Sequence, residues 1–185
     1  MSIATATLVD RIVPRTRVND VALVFSGAAL TALAAQVQIP MYPVPMTLQT
    51  FAVLLVAATL GAARGAASMS VYLAMGAAGL PVFAGAKALT AVLPTAGYLV
   101  GFVAAGFVVG MLAAKGFSTT PLRVAASFAL GSAIIYALGA GWLVVGLGLT
   151  LPQALVAGVA PFLVGDALKA LAAAAVLPIA WKLVR

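Results

Sequence analysis

Apolar residues run along this chain in long blocks, not in the strict alternation of a half-buried strand or the single stripe of a surface helix. Breaks at proline, glycine and charge divide the chain into six such segments, about 21–37, 47–62, 65–78, 95–114, 121–146 and 152–183. A helix that crosses a bilayer needs about 20 apolar residues. The fourth, fifth and sixth segments meet that length, whereas the second and third are short. Only Ala63 and Arg64 separate those two, which predicts a tight helical hairpin with arms short for a full crossing. The pattern predicts an all-α integral membrane bundle of six transmembrane helices over residues 21–185, led by a polar arm over residues 1–20.

Composition narrows the class. Of 185 residues, 65% are hydrophobic and 7% charged, against about 25% charged in soluble domains; the mean hydropathy is +1.23. The lipid bilayer is therefore the solvent. A net charge of +7 would suit a nucleic-acid surface, but the basic residues are scattered one or two per connection, so no nucleic acid is expected. The chain has no Cys, no His and no Glu. That removes thiolate and imidazole metal sites, Cys or His nucleophile–base pairs and paired-Glu chemistry. Neither catalysis nor a metal or cofactor is expected. The first apolar run carries on past Ala35 without a small-residue processing site and reads as a retained helix, not a cleaved signal.

Charge sets an orientation. With six spans the termini share a side, which receives Arg11, Arg15, Arg17, Arg64, Lys115, Arg123, Lys182 and Arg185. The opposite side receives only Lys87. Basic residues gather on the cytoplasmic side of membrane proteins, so both termini are predicted there. The outer connections 36–46 and 79–94 are long, apolar and rich in proline. They read either as rigid caps over an outward-facing pocket, the preferred reading, or as interfacial connectors. Small residues at Gly97 and Gly101, Gly106 and Gly110, and Ala28 and Ala32 have the four-residue spacing that lets helices approach closely.

One pair of charges lies inside an apolar block: Asp166 and Lys169, in Gly165-Asp166-Ala167-Leu168-Lys169. A charge at the centre of a membrane span costs about 2.5–3.5 kcal/mol on insertion scales. Three residues is nearly one helical turn, so both side chains emerge on one face. The pair either lines a polar cavity that takes a ligand or forms a buried ion pair that orders helix packing.

Four runs together resemble one family. They are Pro43-Val44-Pro45-Met46-Thr47-Leu48-Gln49-Thr50, Gly79-Leu80-Pro81-Val82-Phe83, Pro94-Thr95-Ala96-Gly97-Tyr98 and the Gly165–Lys169 segment. In order and spacing they resemble BioY, the biotin-specific substrate-binding (S) component of energy-coupling factor transporters. The resemblance covers nearly the whole chain beyond the arm. It implies a six-helix bundle in the cytoplasmic membrane of a prokaryote, with both termini inside, that binds biotin from the outer face beneath the first and third loops. It also implies a transmembrane coupling (T) protein and two ATPase subunits as partners, because the chain has no phosphate-binding Gly-x-x-x-x-Gly-Lys-Ser/Thr loop. Where the family has a glycine-rich stretch ending in Gly-Pro-Thr-Gly-Gly-Tyr, this chain has Ala84–Leu89 and Leu93–Tyr98, with an unusual Lys87.

The resemblance gives the residues roles. Asp166 would accept from the ureido N–H groups of biotin, and Lys169 would donate to the ureido carbonyl or to Asp166 itself. Tyr98 would stack on the fused rings or serve as an interfacial anchor. Phe83 and Tyr42 would close an apolar wall from the loops. Thr47, Gln49 and Thr95 stand at helix starts beside the pocket, where Thr47 and Thr95 are equally good N-caps. Ala28 and Ala32, on the first helix, match the small residues that dock the T protein. Two other functions fit the same pattern less well: an S component for another vitamin, and an autonomous secondary transporter using Asp166 as a proton carrier.

Overall fold

In a computed structural model of the protein, residues 7–88 and 93–184 are described. Helices dominate, as the apolar blocks predict. The first, α1 (Arg17–Gln36), begins where the Thr16 hydroxyl accepts from the Asn19 amide at 3.2 Å. It thus starts within the stretch read as a polar arm. A short hairpin follows, β1 (Gln38–Ile39) against β2 (Met46–Thr47), antiparallel with Gln38 opposite Thr47. Its tip carries Pro40, Pro43 and Pro45.

Next come α2 (Gln49–Leu60) and α3 (Ala62–Ala77), separated by Gly61 alone. The break therefore lies two residues before the expected Ala63–Arg64 turn. Gly61 has φ 85°, a conformation open to glycine and strained for other residues. At 1.5 Å per residue these helices are about 18 and 24 Å long, so both are shorter than the roughly 30 Å hydrocarbon core.

The chain continues through α4 (Ala96–Leu112), a π turn (Ala113–Phe117) and α5 (Pro121–Leu147). The last apolar segment, expected as one helix, is two. A 3-10 turn at Ala160–Phe162 divides α6 (Leu151–Gly158) from α7 (Leu163–Leu183). Proline at position 161 has no N–H to continue the α6 ladder. Four stretches among the described residues are helical, long and apolar enough to cross a membrane: α1, α4 with its π turn, α5 and the α6–α7 column.

Glycines bring the helices together. A Cβ on Gly110 would run into the backbone of Gly61 and Ala62, and one on Gly106 would lie 3.3 Å from the Gly65 carbonyl. On the same helix, Gly97 and Gly101 face α5, against Leu138 and Ile135. The two Gly-x-x-x-Gly pairs of α4 thus serve different neighbours, α3 and α5. Such close backbone approach maximises dispersion contacts where lipid provides no hydrophobic drive.

Candidate functional site

Every sequence-nominated polar residue of the site stands at the same end of the bundle, because the helices that carry it start there. Thr47 ends β2, Gln49 opens α2, and Thr95 and Tyr98 flank the start of α4. The 3-10 turn before α7 puts Asp166 in that helix's first turn, where unpaired backbone N–H groups favour negative charge. These residues line one cavity with Lys169, together with Val44, Leu99, Phe102 and Phe162. The sequence pattern did not nominate Thr50 and Tyr136, which also line it.

The charge pair is the centre of a dense network. Lys169 Nζ lies 2.8 Å from Asp166 Oδ1. It also donates to the Thr47 carbonyl and the Thr50 hydroxyl, each at 2.8 Å. An ammonium has three N–H donors, and all three are occupied. Asp166 Oδ1 accepts as well from Thr50 Oγ1 at 2.9 Å. Its Oδ2 accepts from the Tyr136 hydroxyl at 2.6 Å and from Ser132 Oγ at 3.3 Å. A carboxylate offers about four acceptor positions, so this one is full too. With side-chain exposures of 9% and 15%, Asp166 and Lys169 are nearly out of solvent, and each ionic group is satisfied by protein.

Ser132, Thr50 and Tyr136 carried a weak signal. Each is a hydroxyl inside an apolar block, where an unpaired polar group is costly. Ser132 and Tyr136, four apart on α5, share a face. Nothing in one sequence says that this face meets Asp166.

A second network ties the loops to the bundle. Gln49 Nε2 donates to the Tyr72 hydroxyl at 2.7 Å, and that hydroxyl donates to the Val82 carbonyl at 3.1 Å. From α1, Gln36 Nε2 donates to the Val82 and Phe83 carbonyls, at 3.4 and 3.3 Å, and its Oε1 accepts from the Ala86 amide at 3.1 Å. Phe83 is buried edge-on against the Tyr72 ring, with centroids 5.3 Å apart. It packs under the third loop instead of lining the cavity. Tyr42, at the hairpin tip, is 93% exposed and lies outside the cavity. Lys87 pairs its backbone with Phe83 and its side chain is exposed.

Tyr98 is fixed by its surroundings. Its hydroxyl donates to the Gly158 carbonyl at 2.7 Å, and its ring covers Gly139, where any Cβ would collide with it. Trp142 donates to the Leu93 carbonyl at 2.9 Å. Gln153 accepts from the Thr150 amide at 2.9 Å in a capping box that starts α6. Of the two alanines on α1, Ala28 is fully buried and Ala32 is partly buried against the core.

At the opposite end the arm folds back on the α2–α3 turn. Asp10 takes both Nε and one terminal nitrogen of Arg15, at 2.8 and 2.6 Å, and Arg64 at 2.8 Å. Thr7 donates to it through its amide and its hydroxyl. The Arg15 guanidinium, then Thr7 and Arg64, hold the Asp10 carboxyl well below the usual carboxylate range, against the opposing effect of burial. Arg64 also lies 2.6 Å from Asp20, a contact whose angle falls short of a hydrogen bond.

A bundle of apolar helices with a small charged cavity near one end defines a multi-pass membrane protein built to hold a small molecule. The chain belongs to the BioY family, whose pattern it matches over residues 6–185. It is 37% identical over 156 residues to a probable biotin transporter BioY of Pyrococcus horikoshii, covering 83% of this chain and 91% of that one. It is 47% identical over 113 residues to the biotin transporter BioY of Thermotoga maritima, covering 60% of this chain and 66% of that one. The fold matches the crystal structure of the S-component for biotin from an ECF-type ABC transporter, with a TM-score of 0.80 at 22% identity. That match covers 92% of this chain and 95% of the other.

Proposed function

We propose that this protein is a biotin-binding S component that captures biotin from the outer face and delivers it inward with an ATP-driven energy-coupling module. The observation that carries the reading is the Asp166–Lys169 pair, fully hydrogen-bonded and walled by aromatic and aliphatic side chains. Biotin has a ureido head with two N–H donors and a carbonyl, an apolar thioether ring and an aliphatic tail. A polar floor under an apolar wall suits that distribution. Asp166 supplies the negative charge that N–H donors seek, Lys169 holds the carboxylate in place, and Tyr98 stands beside the fused rings.

In this reading the chain crosses the cytoplasmic membrane six times with both termini inside, as its basic residues indicate, and the cavity opens outward beneath the hairpin and the third loop. The partners are a transmembrane coupling protein and two ATPase subunits. They dock along α1 near Ala32; Ala28, with no exposed surface, contributes by keeping α1 close to its neighbours.

The test is equilibrium binding of labelled biotin to the purified protein in detergent, competed with riboflavin and thiamine. Saturable binding displaced only by unlabelled biotin is expected. Asp166→Asn and Lys169→Met should each weaken it by more than tenfold while the protein stays monodisperse. Displacement by another vitamin, or no binding by folded protein, would remove biotin as the ligand.

A further inference from the structure

Three basic residues gather at the end of the bundle opposite the cavity. Lys115 lies in the π turn after α4, Arg123 in the first turn of α5 and Lys182 in the last turn of α7. Each stands near the end of a stretch long and apolar enough to cross a membrane. The connection between α4 and α5 draws them to one place. The Arg123 guanidinium lies over the Phe117 ring, 5.8 Å from its centroid, and 3.8 Å from where a Cβ on Gly116 would stand, next in sequence to Lys115. Trp181, the neighbour of Lys182, donates its indole N–H to Ser118 Oγ at 2.9 Å.

No acidic side chain is left to neutralise them. The chain has three Asp and no Glu. Asp10 and Asp20 are held by Arg15 and Arg64 where the arm meets the α2–α3 turn, and Asp166 is held by Lys169 at the far end. Lys115, Arg123 and Lys182 are all exposed. Two of them stand beside large aliphatic side chains that are exposed as well, Leu122 at 82% and Leu183 at 81%. A free anion would use the cations and leave the leucines uncovered. The combination suits a molecule that is anionic at one end and apolar at the other, placed where helices leave the hydrocarbon.

We infer that this patch is a docking surface for an anionic phospholipid, whose phosphate lies among Lys115, Arg123 and Lys182 and whose acyl chains run along Leu122 and Leu183. Long basic side chains at helix ends reach to the headgroups while their stems lie on apolar surface, and anionic lipid attracts cations placed just outside a span. The attraction is one-sided, because Asp10 and Asp20 offset the basic residues near the arm. Lipid therefore anchors the bundle by its α4–α5–α7 side. The inference does not depend on what the cavity holds.

Trp181 reports on the patch, because bromine on a lipid acyl chain quenches a nearby indole. In Trp142→Phe it is the one tryptophan left. The full-length protein is placed in phosphatidylcholine nanodiscs that carry an equal fraction of brominated phosphatidylglycerol or brominated phosphatidylcholine. The anionic lipid should quench as if about threefold or more enriched beside Trp181. The enrichment should fall toward one when Lys115→Gln, Arg123→Gln and Lys182→Gln are combined, and also at high salt. Arg11→Gln with Arg17→Gln, which removes basic residues of the arm, should preserve it. Equal quenching by the two lipids, or undiminished enrichment in the triple variant, would overturn the inference. So would loss of the enrichment in millimolar inorganic phosphate at constant ionic strength, which would give the patch to a free anion. If the triple variant is not monodisperse, Arg123→Gln and Lys182→Gln are measured singly, and an unchanged ratio in both would overturn it. If Trp142→Phe is not monodisperse, the wild-type chain serves, since Trp142 at the far end adds the same quenching from either lipid.

Discussion

Asp10 and Arg64, 54 residues apart in sequence, meet at 2.8 Å where the N-terminal arm crosses the α2–α3 turn. Asp10 is 4% exposed as a side chain, and it receives Arg15 and Thr7 as well. Three Asp residues are the only acidic side chains in the chain, so its acid sensitivity has few sources.

The folded-state pKa of Asp10 is depressed, chiefly by Arg15. Its contribution to stability is therefore complete above the unfolded carboxylate value of about 3.9. It is lost as pH falls below that value toward the folded one. The melting temperature in detergent should fall progressively as pH drops below about 4, and Asp10→Asn should flatten the drop. At neutral pH the same substitution should cost about 1–3 kcal/mol, because it removes the charge and one of the two acceptor oxygens that Arg15, Arg64 and Thr7 share. A variant as acid-sensitive as the wild type would show that the clamp contributes nothing.

Gly139 gives a handle on the aromatic wall. A Cβ there meets the Tyr98 ring, so Gly139→Ala must push the ring aside. Overpacking of this kind costs about 1–3 kcal/mol. Because Tyr98 lines the cavity, biotin affinity should fall at least fivefold in protein that still unfolds cooperatively. A loss of stability with unchanged affinity would mean that the ring is scaffold alone.

Gln36 holds the third loop through three bonds to Val82, Phe83 and Ala86. Gln36→Leu should release that loop while Phe83 stays buried against Tyr72. Biotin should dissociate several-fold faster, and limited proteolysis should cut sooner near Ala86. Unchanged dissociation would separate this loop from closure over the ligand.

Phe83 tests the packing beneath the same loop. It is 3% exposed and lies directly over Gly76, where a Cβ could not fit. Phe83→Ala should destabilise the protein by about 3–5 kcal/mol, read as a lower melting temperature. Affinity should then recover at low temperature, where the fold persists.

Helix bodies were readable from the apolar blocks, since burial in lipid or protein imposes hydrophobicity on nearly every position. Helix ends were less so. Gly61 ends α2 through a backbone angle, and the more obvious polar marker, Arg64, sits within the first turn of α3. The interruption at 160–162 had a marker in Pro161, but it was passed over because Ala, Pro and Phe left the apolar block unbroken. For the site, Asp166 and Lys169 stood out by the cost of burying charge. Their partners did not, because Thr50, Ser132 and Tyr136 become meaningful only once α2, α5 and α7 are brought together. Phe83 and Tyr42 had the right chemistry for a cavity wall, but loop geometry sends one under the third loop and the other into the open.

The 3-10 turn at Ala160–Phe162 also sets the phase of α7. Each residue advances a helix by about 100°, so one residue inserted or deleted between Phe162 and Asp166 would swing the charge pair a quarter-turn away from Thr50 and Tyr136. Substitution in this stretch changes a contact; a change of length erases the site. The segment should therefore tolerate drift in identity across relatives while keeping its residue count, the signature of a gear tooth, not a surface.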